Sequence, residues 1–417
     1  MVTPELRSAW FSSARALSAA TTFVNGEVAS RRATIEVSLS RLPQHWGFVV
    51  CSGVPLLVRQ IERITPAAAE MQAAEQTGCI SPALAKLIGS TPCSVDVNVP
   101  PEGALLFAGD PMATVEGPLW QAWIVAEVAR NALLHASAVA TRAARLVLAG
   151  RGTAVVDGSS QFAAEPERAL SIARAASVGG VSFTQSPLAS AKFGIPLRAS
   201  PPPEATALVG SQEAVRASGW NFAYPTHDVL THLGPGDDEE ETMCEMHRLG
   251  MQSGGWVARG LDRTAPGLET RTDVVALEQG GIWLPRLGAI PDITAVPGRK
   301  IVIRYQDSAA RPIADIIHGM GERLQPAREA VIIGYVHTGI AIPIEGAETG
   351  VPLLGSAIRS GGRVGPDEDL APARDRARTS LLALADAYKR LRHPQAYPVG
   401  MAPAVAQLKA ELLKELV

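Results

Sequence analysis

"HASAVATRAARLVLAGRGTAVVDGSSQFAAEPERALSIARAASVGGVSFTQSPLASAKFGIPLRASPPPEA" spans residues 135–205. Glycines and three consecutive prolines, 201–203, cut it into helix, strand, helix, strand. The segments "TAVVD" and "GVSFT" are apolar and strand-length, and "PERALSIARAAS" between them has helical spacing. That alternation implies a mainly parallel sheet or barrel, because parallel neighbours need a crossover connection. Active sites of such folds gather at the carboxyl ends of the strands. Arg142 and Arg145 sit one helical turn apart just before the first strand, where they serve either an anion site or only the fold.

Upstream, apolar residues recur at helical spacing from Leu119 to about Leu148 and cover much of the circumference, so this helix or helix pair is largely buried. Pro118 suits its first turn, where a missing N–H costs nothing. Earlier still, "RRATIEVSLSRLP" alternates as a half-buried strand, and "GFVVCSGVPLLV" reads as a second, more buried one. Residues 65–88 are helical in spacing, and "VDVNVPPEGALLF" returns to short strands. Downstream, "KIVIRYQ" and "AVIIGYV" read as strands, with amphipathic helices at "ARDRARTSLLALADAYKRLR" and "APAVAQLKAELLKEL".

The 417 residues suffice for two or three domains. With 47% hydrophobic and 19% charged residues and a formal net charge of −3, the chain offers no broad basic face, so nucleic acid is not an expected partner. The N-terminus lacks a basic stretch followed by a continuous apolar run, and no apolar run looks long enough to cross a bilayer. Cys51, Cys79, Cys93 and Cys244 form no CxxC pair, which argues against a disulfide framework or a structural zinc site. A cytoplasmic protein with reduced thiols and no membrane partner is expected.

"GPGDDEEETMCEMHRLG" is a turn followed by an acidic first helical turn. Its carboxylates are expected to lie in solvent and complement the helix dipole. His227, His232 and His247 flank it, but with Asp237 they match no metal-binding spacing.

Six stretches, "FVNGEVASRRATIEVSLSRLPQHWGFVVCSG", "GDPMATVEGPLWQA", "VATRAARLVLA", "RALSIARAASVGGVSFTQSPLASAKFGIP", "AVPGRK" and "RLRHPQAYPV", resemble the nicotinate phosphoribosyltransferase family in the family's own order. The resemblance implies an α/β fold with an irregular barrel of the type II phosphoribosyltransferase kind and an α/β sandwich. The sandwich would comprise residues 1–116 and the barrel 117–305, with 306–417 completing the sandwich and adding helices. It also implies a homodimer whose active sites are shared between subunits.

The chain departs from the family at several sites. A paired-arginine "FG-x-RR" stretch is replaced by "VVDGSSQFAAEP", with Ser159, Ser160, Gln161 and Phe162, so a bidentate clamp for an anion is lost. The family's "GT-x-AHS" stretch, whose histidine is phosphorylated in ATP-coupled turnover, becomes "PLRASPPPEATALVG", and the nearest downstream histidine is His227. "RLDSGDL" becomes "VARGLDRTAPG", which keeps Asp262. The phosphate-holding "GVGT" loop is not recognisable, leaving Gly280 and Gly281 either as an anion-binding turn or as an ordinary one. The early "DLYQ" stretch is absent from "TPELRSAW". Candidate substrate-binding residues are Arg142, Asp262, Thr184 and Ser186, the last two standing for the family's "TSN" turn. His135, about two helical turns before Arg142, is a further one. Fold maintenance is the alternative role for each.

The resemblance and the departures together suggest a glycosyltransferase moving a sugar from a nucleotide-diphosphate- or pyrophosphate-activated donor to a small heteroaromatic nucleophile. One offshoot of the family joins an activated octose to the thiol of ergothioneine in antibiotic biosynthesis and fits that description. The alternatives are a nicotinate or related base phosphoribosyltransferase using phosphoribosyl diphosphate, and a non-catalytic binding homologue. No cofactor is expected beyond a possible magnesium ion.

Overall fold

The computed structural model describes residues 10, 13–161, 163, 165–199, 207–210, 230–233, 239–251, 253–262, 268–288, 295–322, 329–333, 340–366 and 368–415. Helix α1 (Ala14–Asn25) is capped by the Ser13 hydroxyl, which accepts from the Ala16 N–H at 3.2 Å. Strands β1 (Arg32–Arg41) and β2 (Val49–Val50) lead to helices α2 (Val54–Glu62), α3 (Ala68–Gln76) and α4 (Pro82–Ser90). Strands β3 (Asp96–Val99), β4 (Leu105–Leu106) and β5 (Pro111–Pro118) then precede a single 31-residue helix, α5 (Leu119–Ala149). The apolar run after Gly47 makes only the two-residue β2 rather than a longer strand. Gly53 adopts φ 103° and Pro55 falls in the following first turn, so the chain starts α2 there instead.

The middle of the chain forms β6 (Val155–Asp157), α6 (Pro166–Val178), β7 (Phe183–Thr184), α7 (Pro187–Phe193), β8 (Leu230–His232), α8 (Glu239–Arg248) and β9 (Gly255–Ala258). The remainder is mostly strand: β10 (Glu269–Gln279), β11 (Ile282–Pro285), β12 (Lys300–Gln306), β13 (Pro312–Gly319), β14 (Glu329–Ile332) and β15 (Ala341–Pro343). It continues through β16 (Thr349–Pro352), β17 (Gly355–Arg359), β18 (Gly362–Arg363), α9 (Leu370–Ala383), α10 (Asp386–Lys389), β19 (Val399–Met401) and α11 (Pro403–Glu415).

Contacts divide the chain into two units. The first takes its described residues from 1–135, 266–368 and 379–417, the second from 136–265 and 369–378. These limits differ from those the sequence suggests. The first half of α5 is buried with the first unit's core through Leu133, and β10 pairs along β1 from Ala33 to Arg41, which draws both into that unit. Leu370 packs on Ala173, Ala189 and Ile195 and so returns to the second.

In the first unit, one antiparallel sheet runs β11-β10-β1-β5-β3-β17-β18 and a second runs β15-β14-β19-β13-β12-β16. Ile35, Val37, Val97 and Val115 from the first sheet share a core with Val302, Ile317 and Met401 from the second. A buried ionic cluster joins the N- and C-terminal parts of this unit. Arg304 donates to Asp315 Oδ1 and to the Leu105 carbonyl, each at 2.8 Å, and Tyr397 donates to the same Asp315 oxygen at 3.2 Å. Asp110 lies beside them, its carboxyl pushed well above the ordinary range by burial and by Asp315.

By length and composition α5 is apolar enough to cross a membrane, contrary to the sequence reading. Yet 72% of its most apolar 18-residue window is buried inside the protein, the pattern of a core helix. The second unit is built on the four-stranded sheet β7-β6-β9-β8, in which every neighbouring pair is parallel. This is the arrangement that alternating strands and helices predict.

Replacing Arg304 by Met leaves two buried carboxyls without their cation, so urea unfolding is expected to show a loss of about 3–5 kcal/mol.

Candidate functional site

The carboxyl ends of the parallel strands bring Asp157, Thr184, Ala258 and His232 to one edge of the sheet. Behind them Val156, Leu230 and Val257 form a small apolar core. Asp157 is buried, and both its oxygens are engaged. Oδ1 accepts from the Ser159 N–H at 3.0 Å and from the Ser159 hydroxyl, and Oδ2 accepts from the Thr184 hydroxyl at 2.9 Å. Burial raises the Asp157 pKa, these hydrogen bonds oppose the rise, and the negative charge of Asp262 adds to it. After Asp157 the chain needs glycine, because a Cβ on Gly158 would lie 2.6 Å from Val257 Cγ1. The close approach lets the Gly158 N–H donate to the Ala258 carbonyl at 2.8 Å, locking β6 to β9.

Thr184 and Ser186 both take part in this construction. The Thr184 hydroxyl, besides donating to Asp157, accepts from the Ser186 N–H at 3.1 Å. The Ser186 hydroxyl caps α7 by accepting from the Ala189 N–H at 3.2 Å, with Pro187 in the first turn. Asp262 follows β9 and pairs with Arg168 at 3.5 Å.

Within the acidic turn, Glu241 is exposed as the sequence suggests, but Glu239 and Glu240 are drawn into ion pairs. Glu239 is 1% exposed. Its Oε1 accepts from the N–H groups of Arg259 and Gly260 at 3.0 and 3.1 Å, and its Oε2 from Arg142 at 3.5 Å. Burial raises its pKa against the pull of these partners. Glu240 takes both donors of a bidentate pair with Arg145, at 2.8 and 2.6 Å. The two arginines that the sequence left open between an anion site and a role in the fold are therefore paired with the chain's own carboxylates. Two further arginines near these strands are also engaged. Arg259 donates to the Leu233 carbonyl at 2.8 Å, and Arg198 donates to the Gly254 carbonyl at 3.0 Å while lying over the Phe183 ring.

The remaining sequence candidates fall elsewhere. His135 is half-buried on the part of α5 that belongs to the first unit. Gly280 and Gly281, also in that unit, make the two-residue turn between β10 and β11, with φ of 59° and 80°. A hairpin turn of this kind needs both residues left-handed, which explains the Gly-Gly without an anion. His232 ends β8, its pKa lowered by desolvation first and by Arg259 second. His247 lies on α8 against the Trp256 ring. Prolines 201–203, His227, Asp237 and Phe162 lie outside the described residues. Among the described residues no three His, Cys, Asp or Glu side chains converge on a metal position.

Sequence reasoning missed Asp157, whose signal was an acid ending an apolar strand of the parallel sheet just before a glycine. It also missed the partners of the arginines, for which the paired glutamates opening α8 were the available cue.

Residues 299–409 match the nicotinate phosphoribosyltransferase C-terminal domain. Nicotinate phosphoribosyltransferase pncB2 of Mycobacterium tuberculosis (strain H37Rv) is 26% identical over 167 residues, 40% of this chain and 36% of that protein. Nicotinate phosphoribosyltransferase 2 of Arabidopsis thaliana is 35% identical over 108 residues, covering 25% of this chain and 19% of that one. The alignments thus span little more than a third of these relatives' length at most. The crystal structure of human nicotinic acid phosphoribosyltransferase superposes with a TM-score of 0.75 at 18% identity, covering 97% of this chain and 100% of that one. Nicotinate-nucleotide pyrophosphorylase from Pyrococcus furiosus superposes with a TM-score of 0.61 at 15% identity, covering 92% and 97%. The fold is that of the type II phosphoribosyltransferases, an α/β barrel joined to an α/β sandwich. Within that class the sequence matches are to nicotinate phosphoribosyltransferases and cover parts of the chain, with residues 299–409 matching that family's C-terminal domain.

Two outcomes test this geometry. Glu239→Ala strands the Arg142 charge in the interior and should cost about 3 kcal/mol in urea unfolding, whereas Glu245→Ala on the exposed face of α8 should leave the melting temperature unchanged. The raised Asp157 pKa means that the folded protein holds this proton more tightly than the unfolded chain. Its contribution to stability is complete below the ordinary aspartate value of 3.8 and is lost as pH rises through the folded value. Asp157→Asn should therefore make the fall in stability with rising pH shallower above pH 3.8, as read by denaturation across a pH series.

Proposed function

We propose that the protein is a pentosyltransferase that moves the phosphoribosyl group of phosphoribosyl diphosphate onto a ring nitrogen of a heteroaromatic base. The observation that carries this reading is the match of the fold along nearly the whole chain to a nicotinic acid phosphoribosyltransferase. In such a transfer the base nitrogen forms a bond to the anomeric carbon while the bond to the diphosphate oxygen breaks. Pyrophosphate then departs with the electron pair. The positive charge that develops on the sugar calls for fixed groups rather than mobile ones.

The chain's own residues suit that demand. Asp157 acts as a positioning residue: its carboxyl holds Ser159 and Thr184, and so fixes the loop after β6 and the entry to α7. Asp262, oriented by Arg168, is the carboxylate we assign to the sugar hydroxyls, for which a carboxylate is an acceptor on both oxygens. A magnesium ion would travel with the diphosphate, since this cation is commonly held through substrate phosphates rather than by an all-protein cage. A homodimer belongs to the same proposal.

A second reading, sugar transfer from a nucleoside diphosphate to a thiol such as that of ergothioneine, draws on one observation. The loop after β6 carries Ser160 and Gln161 and no cation among its described residues, so it favours an uncharged acceptor.

Pyrophosphate release by purified protein separates the readings. Phosphoribosyl diphosphate with a panel of pyridine and purine bases should give pyrophosphate and a ribonucleotide, and Asp262→Asn should lower kcat/KM about 100-fold. Turnover only with a nucleoside-diphosphate sugar and a thiol would overturn the pentosyl reading in favour of the second.

A further inference from the structure

Gln161 and Gln185 stand just beyond the carboxyl ends of the adjacent strands β6 and β7. Gln161 Nε2 donates to Gln185 Oε1 at 2.9 Å. Each primary amide has two N–H donors and a carbonyl oxygen, so one mutual bond leaves a carbonyl oxygen on one residue and N–H groups on the other. Reversing the direction of the bond exchanges which residue supplies which group and leaves the combined offer unchanged. Gln161 is exposed and Gln185 half-buried, which keeps the pair accessible. Its backbone is held firmly: the Gln185 N–H donates to the Asp157 carbonyl at 2.8 Å, and Gly158 is tied to Ala258.

The surrounding charges narrow what such a pair can bind. Arg142 and Arg145 are paired with Glu239 and Glu240, and Arg168 with Asp262, while Arg198 and Arg259 donate to the Gly254 and Leu233 carbonyls and Asp157 contributes a buried carboxyl. A carboxylate ligand brings acceptors alone, so it answers only the N–H half of the pair and leaves the glutamine carbonyl unmatched. A group with a carbonyl and an N–H side by side meets both halves of the pair.

We propose that Gln161 and Gln185 set acceptor specificity by pairing with an amide edge, so that the acceptor is an uncharged heteroaromatic ring bearing a carboxamide or a lactam. This rests on the pentosyl-transfer reading above and names the class of base it uses.

Isothermal titration with nicotinamide, 2-pyridone and nicotinate, with and without phosphoribosyl diphosphate, tests it directly. Wild type should bind nicotinamide or 2-pyridone at least about tenfold more tightly than nicotinate. Gln161→Leu and Gln185→Leu should each erase that preference with the circular dichroism spectrum unchanged, and Gln161→Arg should shift it toward nicotinate. Nicotinate bound as tightly as the amides, no binding of any of the three, or a preference that survives both leucine variants would overturn the proposal. Pyrophosphate release is read separately. An amide preference without release leaves the specificity assignment standing and removes the transfer reading, while release with nicotinate preferred does the reverse.

Discussion

A carboxylate taken out of water against an arginine is stable only when its remaining lone pairs are also satisfied, and Glu239 meets that condition. It answers Arg142 with one oxygen and two consecutive backbone N–H groups, of Arg259 and Gly260, with the other. The second unit depends on this contact in two ways. It fastens the first turn of α8 to the segment leaving β9, and it neutralises a guanidinium that α5 carries into an apolar interior. Removing either partner would leave a buried charge without its counter-ion in this pair, a larger penalty than the pair's net worth.

The same contact fixes the chemical character of the strand ends. Arg142 and Arg145 are matched by Glu239 and Glu240, so among the described residues these two guanidiniums are turned toward the chain's own carboxylates. Asp157 gives that edge its rigidity, because one carboxyl governs a serine on its own loop and a threonine on the neighbouring strand. The fold of a phosphoribosyltransferase and a site of altered polarity are therefore compatible in one chain.

The architecture was largely legible in the sequence, since period-2 and period-3.6 patterns are local. The order of "TAVVD", "PERALSIARAAS" and "GVSFT" yields the parallel sheet, and the apolar surface of residues 119–148 yields the long buried helix. Where reading failed, the cause was a partner distant in sequence. The acidic turn looked solvated because nothing in "GDDEEET" reveals that Arg142, 97 positions away, buries Glu239. Gly280 and Gly281 stood open between an anion-binding turn and an ordinary one until the pairing of Gln279 with Ile282 made them a hairpin turn. Asp157 offers only the weak signal of an acid ending an apolar strand before a glycine, and part of its role comes from Thr184, which the parallel pairing of β6 and β7 brings alongside. The unit boundary moved for the same reason, because β10 pairs with β1 across more than two hundred residues of sequence.

A double-mutant cycle on Arg142 and Glu239, with each replaced by Met singly and together and stability read by urea unfolding, tests the central claim most directly. A coupling of at least about 1.5 kcal/mol is expected, with the double variant more stable than either single variant, each of which keeps one of the two buried charges. A coupling within about 0.3 kcal/mol of zero would mean that the two groups act independently, leaving Arg142 as a cation for an anionic ligand and contradicting the account.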